Sequence, residues 1–120
     1  MKFLLIFLGG GLGSVLRYVI TKYLNNFESV IPFGTFVINI VGSLIIGIVL
    51  GLTYKNNVIS QNQILFFAVG FCGGFTTFST FAFENSIFIE HGDYINFALY
   101  TSISIFVGIL AVFLGMFIVK

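Results

Sequence analysis

The chain has 120 residues, of which 58% are hydrophobic and 8% charged, and its net charge is +1. A soluble domain of this size carries roughly a quarter charged residues, so the composition excludes a water-covered globule and specifies an all-α membrane protein. The small charge gives nucleic acid no electrostatic footprint, and the lone Cys72 supports neither a disulfide framework nor a thiolate metal cluster.

A membrane-spanning helix needs about 20 largely apolar residues, and the sequence predicts four, at 2–24, 33–54, 63–90 and 94–119, in one transmembrane domain over 1–120. The opening MKFLLIFLGGGLGS has the lysine and apolar run of a signal peptide. It shows no small-x-small cleavage site before Arg17, so it reads as a retained first span. Gly9 and Gly13 form a small-xxx-small pair suited to close helix approach. Arg17 lies one turn further on, as an interfacial anchor that snorkels or as a positive charge at an anion vestibule. NNFESVIP ends this span, with Asn25, Asn26 and Glu28 as polar punctuation and Pro32 placed to open the next helix.

The second span contains GTFVINIVGSLIIG, with Thr35, Asn39 and Ser43 at i, i+4 spacing and Gly42, Gly47 and Gly51 as small contact points. The Asn39 amide either bonds helices together or offers donors to a conducted anion. KNNVISQN is the following polar loop. The third span carries GFCGGFTTFSTFAFE, residues 70–84. Gly73 and Gly74 are poor helix formers, and the hydroxyls of Thr76 and Thr77 follow, so a break at mid-membrane is expected near 73–80. A break frees backbone groups that side chains, water or an ion must satisfy. Thr77, Thr80 and Glu84 share one face, Phe81 borders it, and Phe78 and Phe81 are i, i+3 neighbours. Phenylalanine edges carry the positive part of the ring quadrupole, which with hydroxyl donors suits a dehydrated small anion. HGDY is a short turn in which His91 and Asp93 read as solvated. The fourth span repeats Asn96, Tyr100, Ser104 and Gly108 every four residues, with Thr101 on a flank.

Loop charge sets membrane orientation. Lys2, Lys55 and Lys120 fall on one side, and Lys22 with Arg17 on the other. This bias is compatible with termini inside or with insertion in both orientations. The spans offer no paired carboxylates, metal-ligand cluster or nucleophile with its base, so no enzyme is expected. A small dual-topology proton-coupled multidrug transporter needs a carboxylate in the first span, which has none. A non-transporting helper subunit packed through its glycines is the third possibility.

These residues resemble the Fluc (CrcB) fluoride channels along the whole chain. GGGLGSVLRY is similar to that family's first-helix motif, GTFVINIVGS to its second and GFCGGFTTFSTFAFE to its third. The resemblance implies a homodimer of two chains in opposite orientations in the plasma (inner) membrane, with two separate pores. It implies passive, selective export of fluoride, and a sodium ion at the dimer centre held by the backbone carbonyls of Gly73 and Thr76. By the same resemblance the fluoride path uses Asn39, Phe78, Ser79, Thr80, Phe81, Tyr100 and Ser104, and Arg17 and Glu84 occupy the family's charged positions. Gly108 departs from the pattern, where the family's polar track would continue with a hydroxyl.

Overall fold

A computed structural model describes residues 1–25, 30–55 and 58–120. The expected loop residues Asn26, Glu28, Asn56 and Asn57 lie outside the described residues. Four spans are long and apolar enough to cross a membrane, with mean hydropathy of 1.9, 2.4, 1.6 and 2.4 in chain order. The first is α1, Lys2–Leu24, and the second α2, Phe33–Thr53. The third, Gln61–Glu90, divides into α3 (61–75) and α4, Phe78–Glu90. The fourth is α5, Tyr94–Ile118.

Together they make a thin slab measuring 50 × 29 × 19 Å. The core is correspondingly small, with Ile38, Cys72 and Phe75 fully enclosed and most other large apolar side chains facing outward. Such a surface is stable only against hydrocarbon or another apolar partner.

Glycine decides which helices touch. A Cβ at Gly9 or Gly13 of α1 would collide with the carbonyl oxygens of Phe66 and Phe71, and one at Gly74 with the Gly10 carbonyl. The backbones of α1 and α3 are therefore in direct contact, and the Leu65–Cys72 stretch of α3 is wound as a π-helix along this seam. On the other side, Gly47 lies on the Val112 carbonyl, Gly51 on Met116 and Val119, and Gly115 on the Leu44 carbonyl, which locks α2 to α5. The small-xxx-small pairs of the sequence are thus seams between neighbouring helices of one chain.

Caps set the helix ends. The Ser60 hydroxyl accepts the Gln63 N–H, and the Gln63 side chain accepts the Ser60 N–H at 2.9 Å. This reciprocal pair starts the third span at Gln61, two residues before the predicted 63. The second helix ends at Thr53, with Tyr54 as its cap. Past α4, Gly92 adopts φ +69°. The Asp93 N–H then bonds the Phe88 carbonyl at 2.8 Å, and the Gly92 N–H bonds that of Ile89 at 3.0 Å. That pattern satisfies the last carbonyls of α4. Asp93 then caps α5 by accepting the Asn96 N–H through Oδ1 and the Asn96 amide through Oδ2.

The break expected near 73–80 is present, and it falls at Thr76 and Thr77 rather than at the glycines. Gly73 and Gly74 do not break the third helix: Gly73 has φ −61° and ψ −37°, and helix continues to Phe75. The chain becomes extended at Thr76 (ψ 158°) and Thr77 (φ −149°, ψ 122°). Gly74 is small because α1 passes against it, and the break arises where a side chain from α2 captures the backbone.

Candidate functional site: the broken third helix and its cleft

That side chain is Asn39. Its Oδ1 accepts the Thr77 N–H at 2.8 Å and its Nδ2 donates to the Thr77 carbonyl at 3.1 Å. In an uninterrupted helix the Thr77 N–H would close a turn on the Gly73 carbonyl, so that carbonyl gives up its helical donor. The Gly74 carbonyl is met instead by Arg17, whose Nε donates to it at 2.9 Å. Thr76 folds back, its N–H and hydroxyl both reaching the Cys72 carbonyl. Thr77 caps the second half, its Oγ1 accepting the Thr80 N–H at 3.3 Å. All of this rests inside the span, where unsatisfied backbone is costly.

Beside the break lies a cleft of about 290 Å³. Asn39 and Ser43 of α2, Thr76 and Thr77 of the break, Phe78 and Phe81 of α4 and Ser104 of α5 all line it. The Ser43 hydroxyl donates to the Asn39 carbonyl at 2.7 Å. The Ser104 Oγ is buried and, among the described residues, is the one enclosed side-chain polar atom without a hydrogen-bond partner. The Phe78 and Phe81 rings stand 6.1 Å apart and tilted at 46°, with Phe78 largely exposed.

The cleft continues through rings into a buried polar chain. Phe81 packs on Tyr100 at 5.1 Å, and the Tyr100 hydroxyl donates to Glu84 Oε1 at 2.8 Å. The other carboxylate oxygen, Oε2, accepts the fully buried Thr35 hydroxyl at 2.5 Å. The Thr35 Oγ1 in turn accepts the Asn25 amide at 3.3 Å, and Asn25 Oδ1 accepts the Gly34 N–H at 2.6 Å. Below this, Asn85 donates to the Phe81 carbonyl and accepts the Thr101 hydroxyl, each at 3.0 Å, which pins α4 to α5.

Of the residues singled out in the sequence, Asn39, Phe78, Phe81 and Ser104 meet in the cleft, and Thr76 contributes its rim. Ser79 and Thr80 sit on the capping turn around Thr77 and are not among the lining residues. Tyr100 and Glu84 form the adjoining polar chain, and Arg17 ties α1 to the end of α3. Gly108 faces α2, where a Cβ would meet the Ser43 Oγ at 3.8 Å, an ordinary contact. Thr35 as a partner of Glu84, Asn25 as the donor to Thr35, and Asn85 with Thr101, escaped the sequence reading. Thr35 was visible as part of a polar stripe with Asn39 and Ser43, but its acceptor lies 49 positions away.

Four spans, a helix interrupted within one of them and a polar cleft at the interruption define a small multi-pass integral membrane protein with an intramembrane polar site. Residues 4–116 match the family described as CrcB-like protein, Camphor Resistance (CrcB), and the chain belongs to that family. It is 46% identical to the fluoride-specific ion channel FluC of Gloeothece citriformis, over 100% of this chain and 98% of that one. It is 45% identical to the protein of the same name from Azobacteroides pseudotrichonymphae, over 95% of this chain and 92% of that one. The Flavobacterium psychrophilum relative, again of that name, is 43% identical over 96% of this chain and 94% of its own.

Proposed function

We propose that this chain is the subunit of a fluoride-selective channel of the plasma membrane, which lets fluoride leave the cytoplasm down its gradient. The observation that carries this reading is the Ser104 hydroxyl, enclosed and without a partner among the described residues, in a cleft lined by phenylalanines and hydroxyl side chains. Its relatives are named as fluoride-specific ion channels, which points the same way.

The chemistry follows from the anion. Hydrogen fluoride crosses bilayers neutral and ionises in the less acidic cytoplasm, where the anion is trapped. Fluoride binds water strongly, so a path must replace that water with donors. Ser104 offers an O–H, and the Phe78 and Phe81 edges offer weak positive potential. Asn39 is spent on Thr77 in this arrangement, so its part is to hold the break open and to keep one amide face toward the cleft. Tyr100, Thr35 and Glu84 carry the polar track beyond Phe81. Chloride, larger and a weaker acceptor, gains less from the same donors.

The reading extends to assembly. Two copies in opposite orientation would cover the exposed Phe78 faces and form two pores, one per cleft. Sodium is the cofactor that fits the break. The Gly73 carbonyl has lost its helical donor to Asn39, and the space beside Gly73 is open, with nothing within 4 Å of a Cβ there. The carbonyls of Gly73 and Thr76 from each copy would hold the ion, and oxygen ligands suit a hard cation. When bound, sodium supplies positive charge that offsets the carbonyl ends of the two α3 helices. A multidrug transporter is disfavoured, because the intramembrane carboxylate sits in α4 and is held by Thr35 and Tyr100.

The test is efflux from liposomes loaded with fluoride or chloride, read with an ion electrode after a potassium ionophore is added. Rapid fluoride release with chloride retained is expected, and Phe81→Ala should slow it roughly tenfold, the scale of one aromatic contact. Retention of fluoride by correctly folded protein would overturn the reading.

A further inference from the structure

On the flank of the α2–α5 seam away from the cleft lies a second depression, an apolar groove of about 1100 Å³. At about 100° per residue, Asn39, Ser43 and Ile46 turn one flank of α2 to the cleft, and Val41 and Leu44 turn the opposite one to the groove. Leu110, Leu114 and Phe117 of α5 form the facing wall. From Ile40 to its end at Thr53, α2 rises roughly 20 Å, which exceeds the roughly 15 Å of hydrocarbon in one leaflet. The groove thus runs from the middle of the membrane to one of its surfaces.

Its chemistry changes only at that surface. There Lys55 and Lys120, one beyond the end of each helix, line the same groove, together with Tyr54. Among the described residues neither ammonium has an ion-pair or hydrogen-bond partner. A long apolar trough, one leaflet deep, with two cations at its mouth is complementary in shape and charge to a lipid carrying an anionic headgroup. A second copy of the chain matches it less well: the polar backbone that a protein partner must cover lies on the other flank, at the break.

We propose that this groove binds one anionic phospholipid, with an acyl chain between α2 and α5 and the phosphate between Lys55 and Lys120. The experiment is native mass spectrometry of the whole protein in neutral detergent micelles containing phosphatidylglycerol or phosphatidylcholine. The expected result is retention of phosphatidylglycerol roughly tenfold or more above phosphatidylcholine, from two lysines near the phosphate. Lys55→Gln with Lys120→Gln should abolish that preference while fluoride efflux from phosphatidylcholine liposomes stays unchanged. Leu114→Trp, which fills the trough, should reduce retention of both lipids. Equal retention of the two lipids by the native chain would overturn the proposal, as would a preference that survives in the lysine variant. Phosphatidylglycerol held undiminished by Leu114→Trp would reduce the site to surface charge and reject the groove. A Leu114→Cys variant that cross-links to a second copy would assign the groove to that copy instead.

Discussion

Asn39 and Thr77, 38 positions apart, pair edge to edge inside the membrane span: the amide accepts the Thr77 N–H at 2.8 Å and donates to the Thr77 carbonyl at 3.1 Å. The side chain imitates one rung of a backbone ladder. It satisfies both polar groups of the peptide at which the helix breaks, and so makes the break tolerable in an apolar medium.

Asn39→Ala should therefore cost more than an ordinary polar deletion. It orphans a donor and an acceptor together, each worth about 1–3 kcal/mol when left unsatisfied. The expected result is a stability loss of several kcal/mol in SDS titration, with fluoride efflux lost in the refolded fraction. Thr77→Val, which leaves the Asn39 pairing in place and removes the cap on the Thr80 N–H with the contacts to the Ser79 and Thr80 hydroxyls, should cost about 1 kcal/mol.

Thr35 and Tyr100 share one carboxylate. Thr35→Val keeps the shape and removes the donor to Glu84 Oε2, and Tyr100→Phe removes the donor to Oε1. Because both act on Glu84, their effects should not add. A double-mutant cycle on unfolding free energy is expected to show a coupling of about 0.5–3 kcal/mol. A coupling near zero would mean that the two hydroxyls act independently.

Gly13 and Gly11 are two residues apart on α1 and should respond oppositely to alanine. At Gly13 a Cβ would run into the Phe71 carbonyl and the Phe75 nitrogen, both backbone atoms that cannot swing aside. Gly13→Ala should destabilise by about 1–3 kcal/mol through overpacking. At Gly11 nothing lies within 4 Å, so Gly11→Ala should be neutral or stabilising by up to about 1 kcal/mol through helix propensity. Thermal unfolding of the pair in the same detergent decides it.

Gly108→Ser tests the gap in the polar track. The nearest atoms to a Cβ there are Ser43 Oγ at 3.8 Å and Ile40 Cδ1 at 3.9 Å, so the site accepts the side chain without strain. Stability should change by less than about 0.5 kcal/mol. The added hydroxyl lies near Ser43, itself a cleft residue, and faster fluoride efflux is the expected outcome.

Membrane residence and the four spans were legible from the sequence, because each helix carries its own run of apolar residues, and spanning is a local property of length and hydropathy. The polar stripes on α2 and α5 were legible for the same reason, since a helix repeats every 3.6 residues. The break in the third helix was legible only as a stretch, 73–80, and its position within that stretch was not. The two glycines at 73 and 74 are the local signal for a break, yet both stay helical: Gly74 serves α1, which approaches so closely that no side chain fits there, and Gly73 faces open space. The break falls at Thr76 and Thr77 because Asn39, on another helix, outcompetes the helical hydrogen bond.

Glu84 marks the same boundary. Its sequence position says only that a carboxylate inside a span needs partners. That these are Thr35 on α2 and Tyr100 on α5 follows from the packing: one glycine-lined seam joins α2 to α5, and α4 lies against both, so its carboxylate meets a hydroxyl from each. The sequence by itself determined what must be buried in the membrane and which helix faces are polar. Tertiary structure alone decided which polar group meets which, because in a medium without water each donor must find its acceptor on whichever neighbouring helix the packing supplies.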